Sequence, residues 1–136
     1  MAKTWEQKFN TDRQPEIKRT EKRFADIPEG SDMLIASPQV VAAHLKQIPE
    51  GYGTDIKKMR TDLAYEFGAQ YTCPVTTSIF LRVVAEYAHE QLQAGKKASD
   101  VPPFWRAIDR KSKVRQKLSF GTDFIDKQRK AEGLEA

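Results

Sequence analysis

Apolar residues recur at helical spacing in the middle of the chain. After Ser37 and the proline that follows it, apolar side chains stand at Val41, Leu45 and Ile48, four and three positions apart. Serine accepts hydrogen bonds from the free amides that begin a helix, and proline is tolerated at the first helical position. The pattern therefore predicts a helix that starts after Ser37 and presents one apolar stripe to a core. A short apolar strand is predicted immediately before Ser37.

Two more helices follow, with a short turn between them. The first is capped by Thr54 or Asp55 and ends at Gly68, and the second begins within residues 74–77 and ends at Gly95. The apolar positions of the first are Ile56, Met59, Leu63 and Phe67. Those of the second are Ile79, Phe80, Val83, Val84, Tyr87 and Leu92. Two helices joined by a short turn predict a helix-turn-helix.

The C-terminal part of the chain combines a basic stretch with a final helix. Residues 96–103 form a linker, and residues 104–120 indicate a β-hairpin with a basic tip. A last helix in residues 121–133 is capped by Thr122 or Asp123. We therefore predict an α+β fold, a mostly helical winged-helix-like domain with a helix-turn-helix and a C-terminal β-hairpin wing.

Length and composition set the domain organisation. With 136 residues the chain fits one domain, because a second would leave each half near the size at which a core becomes marginal. Residues 1–36 are rich in charged side chains and predict a short helical N-terminal arm. Residues 37–136 form the predicted winged-helix-like domain.

The charge balance favours a polyanionic partner only modestly, with 23 basic residues, 19 acidic residues and a formal net charge of +4. Between Arg106 and Lys117, however, six basic residues stand against one acidic residue. Clustered cations release counterions from a DNA backbone, so double-stranded DNA is the predicted partner. The candidate phosphate contacts are Arg110, Lys111, Lys113 and Arg115. A solvated basic hairpin is the alternative interpretation.

Hydroxyl side chains stand at the predicted start of the third helix. Thr76, Thr77 and Ser78 can donate hydrogen bonds beside free backbone amides, which makes them candidate DNA contacts. Ordinary helix capping is the alternative. Arg82 lies one turn further along the helix and is a fourth candidate, with a solvated surface cation as the alternative.

Cys73 is the single cysteine, so no intramolecular disulfide can form, and the chain suits a reducing cytoplasm. No signal peptide and no apolar run of about 18 residues is present, so no membrane partner is expected. No metal-ligand spacing, glycine-rich phosphate loop or paired carboxylates stand out, so no metal and no cofactor are expected.

The order of several motifs resembles a known family. The segments SPQVVAAHLKQIPEG, TDIKKMRTDLA, a threonine-rich third helix, PFWRAI and QRKAEGL follow one another over roughly Ser37 to Leu134. In order and spacing they resemble the DNA-binding domain of alkylguanine-DNA alkyltransferases and, more closely, the alkyltransferase-like proteins, which lack the nucleophile.

The resemblance implies a winged-helix-like module that binds the minor groove and rotates an alkylated base into a pocket. The family's Pro-Cys-His-Arg motif corresponds to Pro103, Phe104, Trp105 and Arg106. A phenylalanine ring offers no lone pair to attack an alkyl group, so alkyl transfer at Phe104 is excluded. These four residues are the predicted base pocket, in which the two rings stack on a base or, alternatively, only close the core.

Two further positions depart from the family. Ile56 and Thr77 stand where the family has the tyrosine and the arginine that help to extrude the target nucleotide. The predicted function is a noncatalytic DNA-binding protein, with sensing of alkylated or damaged bases in DNA repair as the implied role. The alternatives are a protein-protein interaction module on the same fold and an enzyme that depends on Cys73.

Overall fold

A central helix of 20 residues organises the fold. The computed structural model describes residues 2–134, so Met1 of the predicted arm and residues 135–136 of the predicted domain lie outside the described part. In chain order the elements are α1 (Trp5–Phe9), β1 (Glu16–Arg19), β2 (Asp32–Ile35), α2 (Pro38–Lys46), α3 (Ile56–Phe67), β3 (Tyr71–Thr72), α4 (Pro74–Gln93), α5 (Lys113–Lys117) and α6 (Asp123–Ala131). Short 3₁₀ turns cover Ala98–Asp100 and Phe104–Arg106. The expected α+β class is confirmed.

The strands of residues 2–134 form one small sheet in the order β1-β2-β3. β1 pairs antiparallel with β2, and β2 pairs parallel with β3. Leu34 and Ile35 of β2 are buried, which confirms the apolar strand predicted before Ser37. All of β1 is exposed, and its sequence EIKR carries one apolar residue, so no alternating pattern predicts it.

Local capping signals place the main helices as predicted. Ser37 and Asp55 each accept a hydrogen bond from the backbone amide three residues later, at 3.2 and 2.7 Å. Asp55 rather than Thr54 therefore caps α3. Gly68 ends α3 with a φ of 69°, a left-handed conformation that glycine adopts without steric cost. α4 begins at Pro74, inside the predicted range.

The hydrophobic core surrounds the inner face of α4. α2, α3, α5 and the second 3₁₀ turn all pack against this helix. The fully buried side chains of the core include Leu45, Met59, Leu63, Leu81 and Ile108. Burying apolar side chains of this size stabilises a fold by roughly 2 kcal/mol each, which explains why the amphipathic helices assemble around α4.

The N-terminal segment is held against the helices. α1 packs against α4, and the rings of Phe9 and Tyr87 lie 5.1 Å apart. The side-chain amide of Gln39 in α2 donates to the carbonyl oxygens of Phe9 at 2.6 Å and Thr11 at 3.1 Å. Together with the contact between Trp5 and Arg82, these contacts place α1 beside the middle of α4.

Residues 104–120 do not form the predicted β-hairpin. They contain a 3₁₀ turn, a loop and α5, and every strand of the described residues lies before residue 73. Phe104 and Trp105 are adjacent and both buried, which an alternating half-exposed strand does not permit. Val114 and Leu118 are both buried four positions apart, a helical spacing. The prediction of a C-terminal β-hairpin wing is therefore wrong.

Candidate nucleic-acid interface

A groove lies between α1, the first half of α4 and α5, and it encloses about 650 Å³. Its apolar lining includes Trp5, Val75, Ile79, Val83 and Val114. Its cationic lining comprises Lys8, Arg82, Lys113 and Lys117. No acidic side chain of the described residues lines it. A concave apolar surface with charges of one sign concentrates ligands of the opposite sign.

One face of α4 contributes the residues that we call the α4 stripe: Val75, Ser78, Ile79 and Arg82. Spacings of three and four positions place them on the same side of the helix. Val75 is 52% and Ile79 53% exposed, so two aliphatic side chains stand half in solvent. The sequence pattern counts Ile79 among the apolar positions of the third helix, but in the structure it faces the groove instead of the core.

Trp5 of α1 holds two of the cations in place. Lys8 Nζ lies 4.3 Å and Arg82 Cζ 5.2 Å from the centroid of its ring, within the range of a cation–π attraction. Sequence reasoning missed Trp5 and Lys8 as groove residues, because the contact between Trp5 and Arg82 joins two distant parts of the chain. No local signal marks it.

Beneath Arg82 lies a buried carboxylate. Glu86 is 2% exposed and accepts hydrogen bonds from the amide and the hydroxyl of Ser119, the former at 2.8 Å. Arg82 Nε stands 3.6 Å from this carboxylate, is buried, and has no hydrogen-bond partner among the described residues. The guanidinium is therefore held over the groove by Trp5 on one side and by the charge of Glu86 on the other.

The predicted cations of residues 106–117 divide into two groups. Lys113 lines the groove together with Ser78 and Arg82, whereas Arg110 and Lys111 are exposed in the loop before α5. Arg115 instead bonds both carboxylate oxygens of Asp126 in α6, with Nη2 to Oδ2 at 2.9 Å. Hydrogen bonding to Asp126 raises the pKa of Arg115 above its ordinary value, although burial acts in the opposite direction. Arg115 therefore ties α5 to α6 and is not free to contact DNA, which corrects its assignment.

The three predicted hydroxyls are not equivalent. Thr77 is fully buried, and its Oγ1 donates to the carbonyl of Cys73 at 2.6 Å, so it cannot reach a phosphate. Thr76 Oγ1 is buried and has no hydrogen-bond partner among the described residues. Ser78 lines the groove. Of the trio, Ser78 is the hydroxyl that a ligand in the groove can meet.

The predicted base pocket is part of the core. Phe104 is fully buried and Trp105 is 3% exposed, with their ring centroids 5.3 Å apart. Phe120 and Phe124 also pack on Phe104, at 6.0 and 5.8 Å. Neither ring presents a face to solvent, so neither can stack on a base in this conformation. Pro103 is buried as well.

Trp105 and Arg106 are held by the end of the chain. Trp105 Nε1 donates to Glu132 Oε2 at 2.7 Å, and Arg106 donates to both oxygens of Glu132 at 2.8 and 3.0 Å. Arg106 Nη1 also donates to the carbonyl of Ile48 at 2.7 Å. Burial raises the pKa of Glu132, but the bonds from Arg106, Trp105 and the Gly51 amide outweigh it, so the pKa lies below its ordinary value. Arg106 is thus a structural residue here.

Cys73 offers little access to a substrate. It is 4% exposed, and its backbone amide donates to the carbonyl oxygen of Leu34 at 2.9 Å.

Residues 2–134 contain no group of three or more His, Cys, Asp or Glu placed to hold a metal ion. None of the described helices combines the length and the apolar character needed to cross a bilayer.

Comparison with known proteins identifies no relative from which a function could be transferred. The resemblance to alkyltransferase-like proteins thus stays a prediction from the order of the motifs. No family model, no curated protein and no solved structure matches the chain.

Proposed function

We propose that the protein is a noncatalytic double-stranded DNA-binding protein of winged-helix-like type, in which α3 and α4 act as the helix-turn-helix. One observation carries the proposal: the α4 stripe and the cations Lys113 and Lys117 of α5 line the same groove. α5 packs against α4, which we propose as the recognition helix, and contributes these two lysines to the groove.

The chemistry of the groove suits a DNA backbone. Lys8, Arg82, Lys113 and Lys117 supply positive charge for phosphates. This face of α4 is largely apolar, with Val75, Ser78 and Ile79, and it can lie against the sugars of the minor groove. In the minor groove the base pairs present nearly the same hydrogen-bonding groups, so they are poorly distinguished. We therefore expect low sequence specificity. Sensing of an altered base would require a conformation that uncovers Trp105, since its ring is now enclosed.

Duplex titration at several salt concentrations tests this proposal. The variant Lys113→Gln/Lys117→Gln should bind more weakly, and its plot of log affinity against log salt should be shallower by about 2, because each lost phosphate contact removes a slope of about 0.9. The matched control is Lys96→Gln/Lys97→Gln, two exposed lysines beyond the far end of α4. Lys113 and Lys117 lie beside the first half of α4, whereas Lys96 and Lys97 follow its last residue, Gln93, and do not line the groove.

Equal salt slopes for wild type and the α5 variant would overturn the proposal, as would an equal loss of affinity in the control variant.

A second function has one observation in its favour: Val75 and Ile79 are half exposed within a concave surface. An acidic amphipathic partner helix would cover both residues and pair with the cations. Absence of duplex binding even at low salt would favour this protein-interaction function instead.

A further inference from the structure

A second cleft lies on another part of the molecule, between the end of α2, the loop that follows it and α3. It encloses about 720 Å³ and shares no lining residue with the groove. Its lining is part apolar, from Ile48 and Pro49, and part polar. The polar part includes buried atoms that have no hydrogen-bond partner among the described residues.

Two buried polar atoms in this cleft have no hydrogen-bond partner among the described residues. They are His44 Nδ1 and Thr54 Oγ1. The His44 side chain is only 9% exposed, so its ring nitrogen is removed from bulk solvent. A buried polar atom without a partner is costly, and such atoms in folded proteins usually have a bound water or ligand.

A carboxylate stands next to His44. Glu66 Oε1 lies 3.5 Å from His44 Nδ1, and the contact does not have the geometry of a hydrogen bond. A ligand N–H group placed at this gap can donate to one or both atoms. The other carboxylate of the cleft, Asp62, is paired with Lys58 at 3.8 Å, so the lysine charge is balanced and does not repel a cation.

Aromatic rings complete the site. Tyr52 is 65% and Tyr65 88% exposed, and both line the cleft. Neither ring stacks on another aromatic ring of the described residues. The face of a tyrosine ring attracts a cation, and such faces combined with a carboxylate recognise ammonium groups.

From these features we infer that the cleft binds a small organic ammonium that carries at least two N–H groups. The Glu66 carboxylate balances the charge of the ligand, and the rings of Tyr52 and Tyr65 flank it. The N–H groups satisfy His44 Nδ1 and Thr54 Oγ1. This site is independent of DNA binding, because it lies on a separate surface.

Titration of the ¹⁵N-labelled protein with n-butylammonium chloride, followed by amide chemical shifts at constant ionic strength, tests the inference. We expect saturable shifts confined to residues that line the cleft. Glu66→Gln and Tyr65→Ala should each raise the dissociation constant about fivefold or more, and both residues are exposed enough to be replaced without loss of the fold. Glu90→Gln, an exposed carboxylate on α4, is the matched control and should leave the dissociation constant unchanged.

Two further ligands separate the contributions. n-Butanol has the same alkyl chain without the charge, and tetramethylammonium has the charge without an N–H. Both should bind more weakly than n-butylammonium. Equal shifts with n-butanol, unsaturated shifts, or unchanged affinity in both cleft variants would overturn the inference and leave a cleft that holds only water. Equal binding of tetramethylammonium would overturn the role given to His44 and Thr54.

Discussion

At the scale of single residues, Glu132 has the largest set of long-range partners described above. Its carboxylate accepts hydrogen bonds from Trp105, from Arg106 and from the amide of Gly51, while only 7% of the side chain is exposed. The bonds join the end of α6 to the second 3₁₀ turn and to the loop between α2 and α3. The Arg106 side chain is only 14% exposed, and the Glu132 carboxylate is its counter-charge.

Glu132→Gln should therefore destabilise the fold strongly. Glutamine keeps one acceptor oxygen and turns an amide towards donors, so Arg106 is left buried without its counter-charge, at a cost of about 3 kcal/mol. Urea unfolding should show a lower midpoint with an unchanged slope. Glu16→Gln removes an exposed ion pair with Lys18 and should change stability by about 0.5 kcal/mol or less. Similar losses in both variants would contradict the role given to Glu132.

At the scale of elements, the position of α1 depends on a few contacts. A helix of five residues is not stable alone in water, because nucleation is costly and few hydrogen bonds form. α1 is placed by its packing on α4 and by the side chain of Gln39, which donates to the carbonyl oxygens of Phe9 and Thr11. Since Trp5 and Lys8 belong to α1, the groove is complete only while α1 is docked.

Gln39→Ala should release α1 while it leaves the core intact. We expect faster amide exchange in residues 5–11 and unchanged exchange in α4, because hydrogen bonds of this kind contribute about 1 kcal/mol each. Hydrogen exchange followed by NMR measures both regions in one experiment. Gln116→Ala, on an exposed position of α5, is the control and should alter neither. Unchanged exchange in residues 5–11 of Gln39→Ala would show that packing alone holds α1.

The elements also show what the sequence could and could not predict. Helices α2 and α3 were predictable because their signals are local: a cap at Ser37 or Asp55 and a left-handed glycine at Gly68. The segment after Pro103 was not, because long-range partners decide its conformation. Val114 and Leu118 do carry a helical spacing, but it spans a single turn and is a weak signal. The groove depends on tertiary contacts across the chain, which periodicity does not encode.

At the scale of the whole molecule, arginine–carboxylate pairs join segments that are distant in sequence. The three that bury most of the arginine side chain are Arg60 with Asp26, Arg115 with Asp126, and Arg106 with Glu132. The hydrogen bond from the arginine is the main cause that lowers the pKa of Asp26 and of Asp126. The pKa of Glu132 is also lowered, as described above. Each of these carboxylates binds a proton less readily in the folded chain than in the unfolded chain.

The protein should therefore lose stability in acid in two stages. Burial lowers the pKa of His89, against the opposing charges of Glu86 and Glu90, so below about pH 6.5 the unfolded chain takes up a proton that the folded chain does not. The carboxylate pairs contribute fully above their unfolded pKa values of about 4, and this stability is lost as the pH falls through the lower folded values. Tm measured by circular dichroism should fall gently below about pH 6.5 and steeply below about pH 4.5.

Two variants assign the stages to their groups. The His89 ring stacks on Phe120 with centroids 3.9 Å apart, so the ring of His89→Phe can occupy the same place without titrating. In this variant the gentle fall of Tm below about pH 6.5 should disappear, and the steep fall below about pH 4.5 should remain. Asp126→Asn should have a lower Tm at neutral pH and a shallower steep stage, because one of the linked carboxylates no longer takes up a proton. If unfolding is accompanied by proton uptake at these groups, the free energy of unfolding must fall as the pH falls. A Tm that does not change between about pH 7 and pH 3 would therefore mean that these pairs do not stabilise the folded chain.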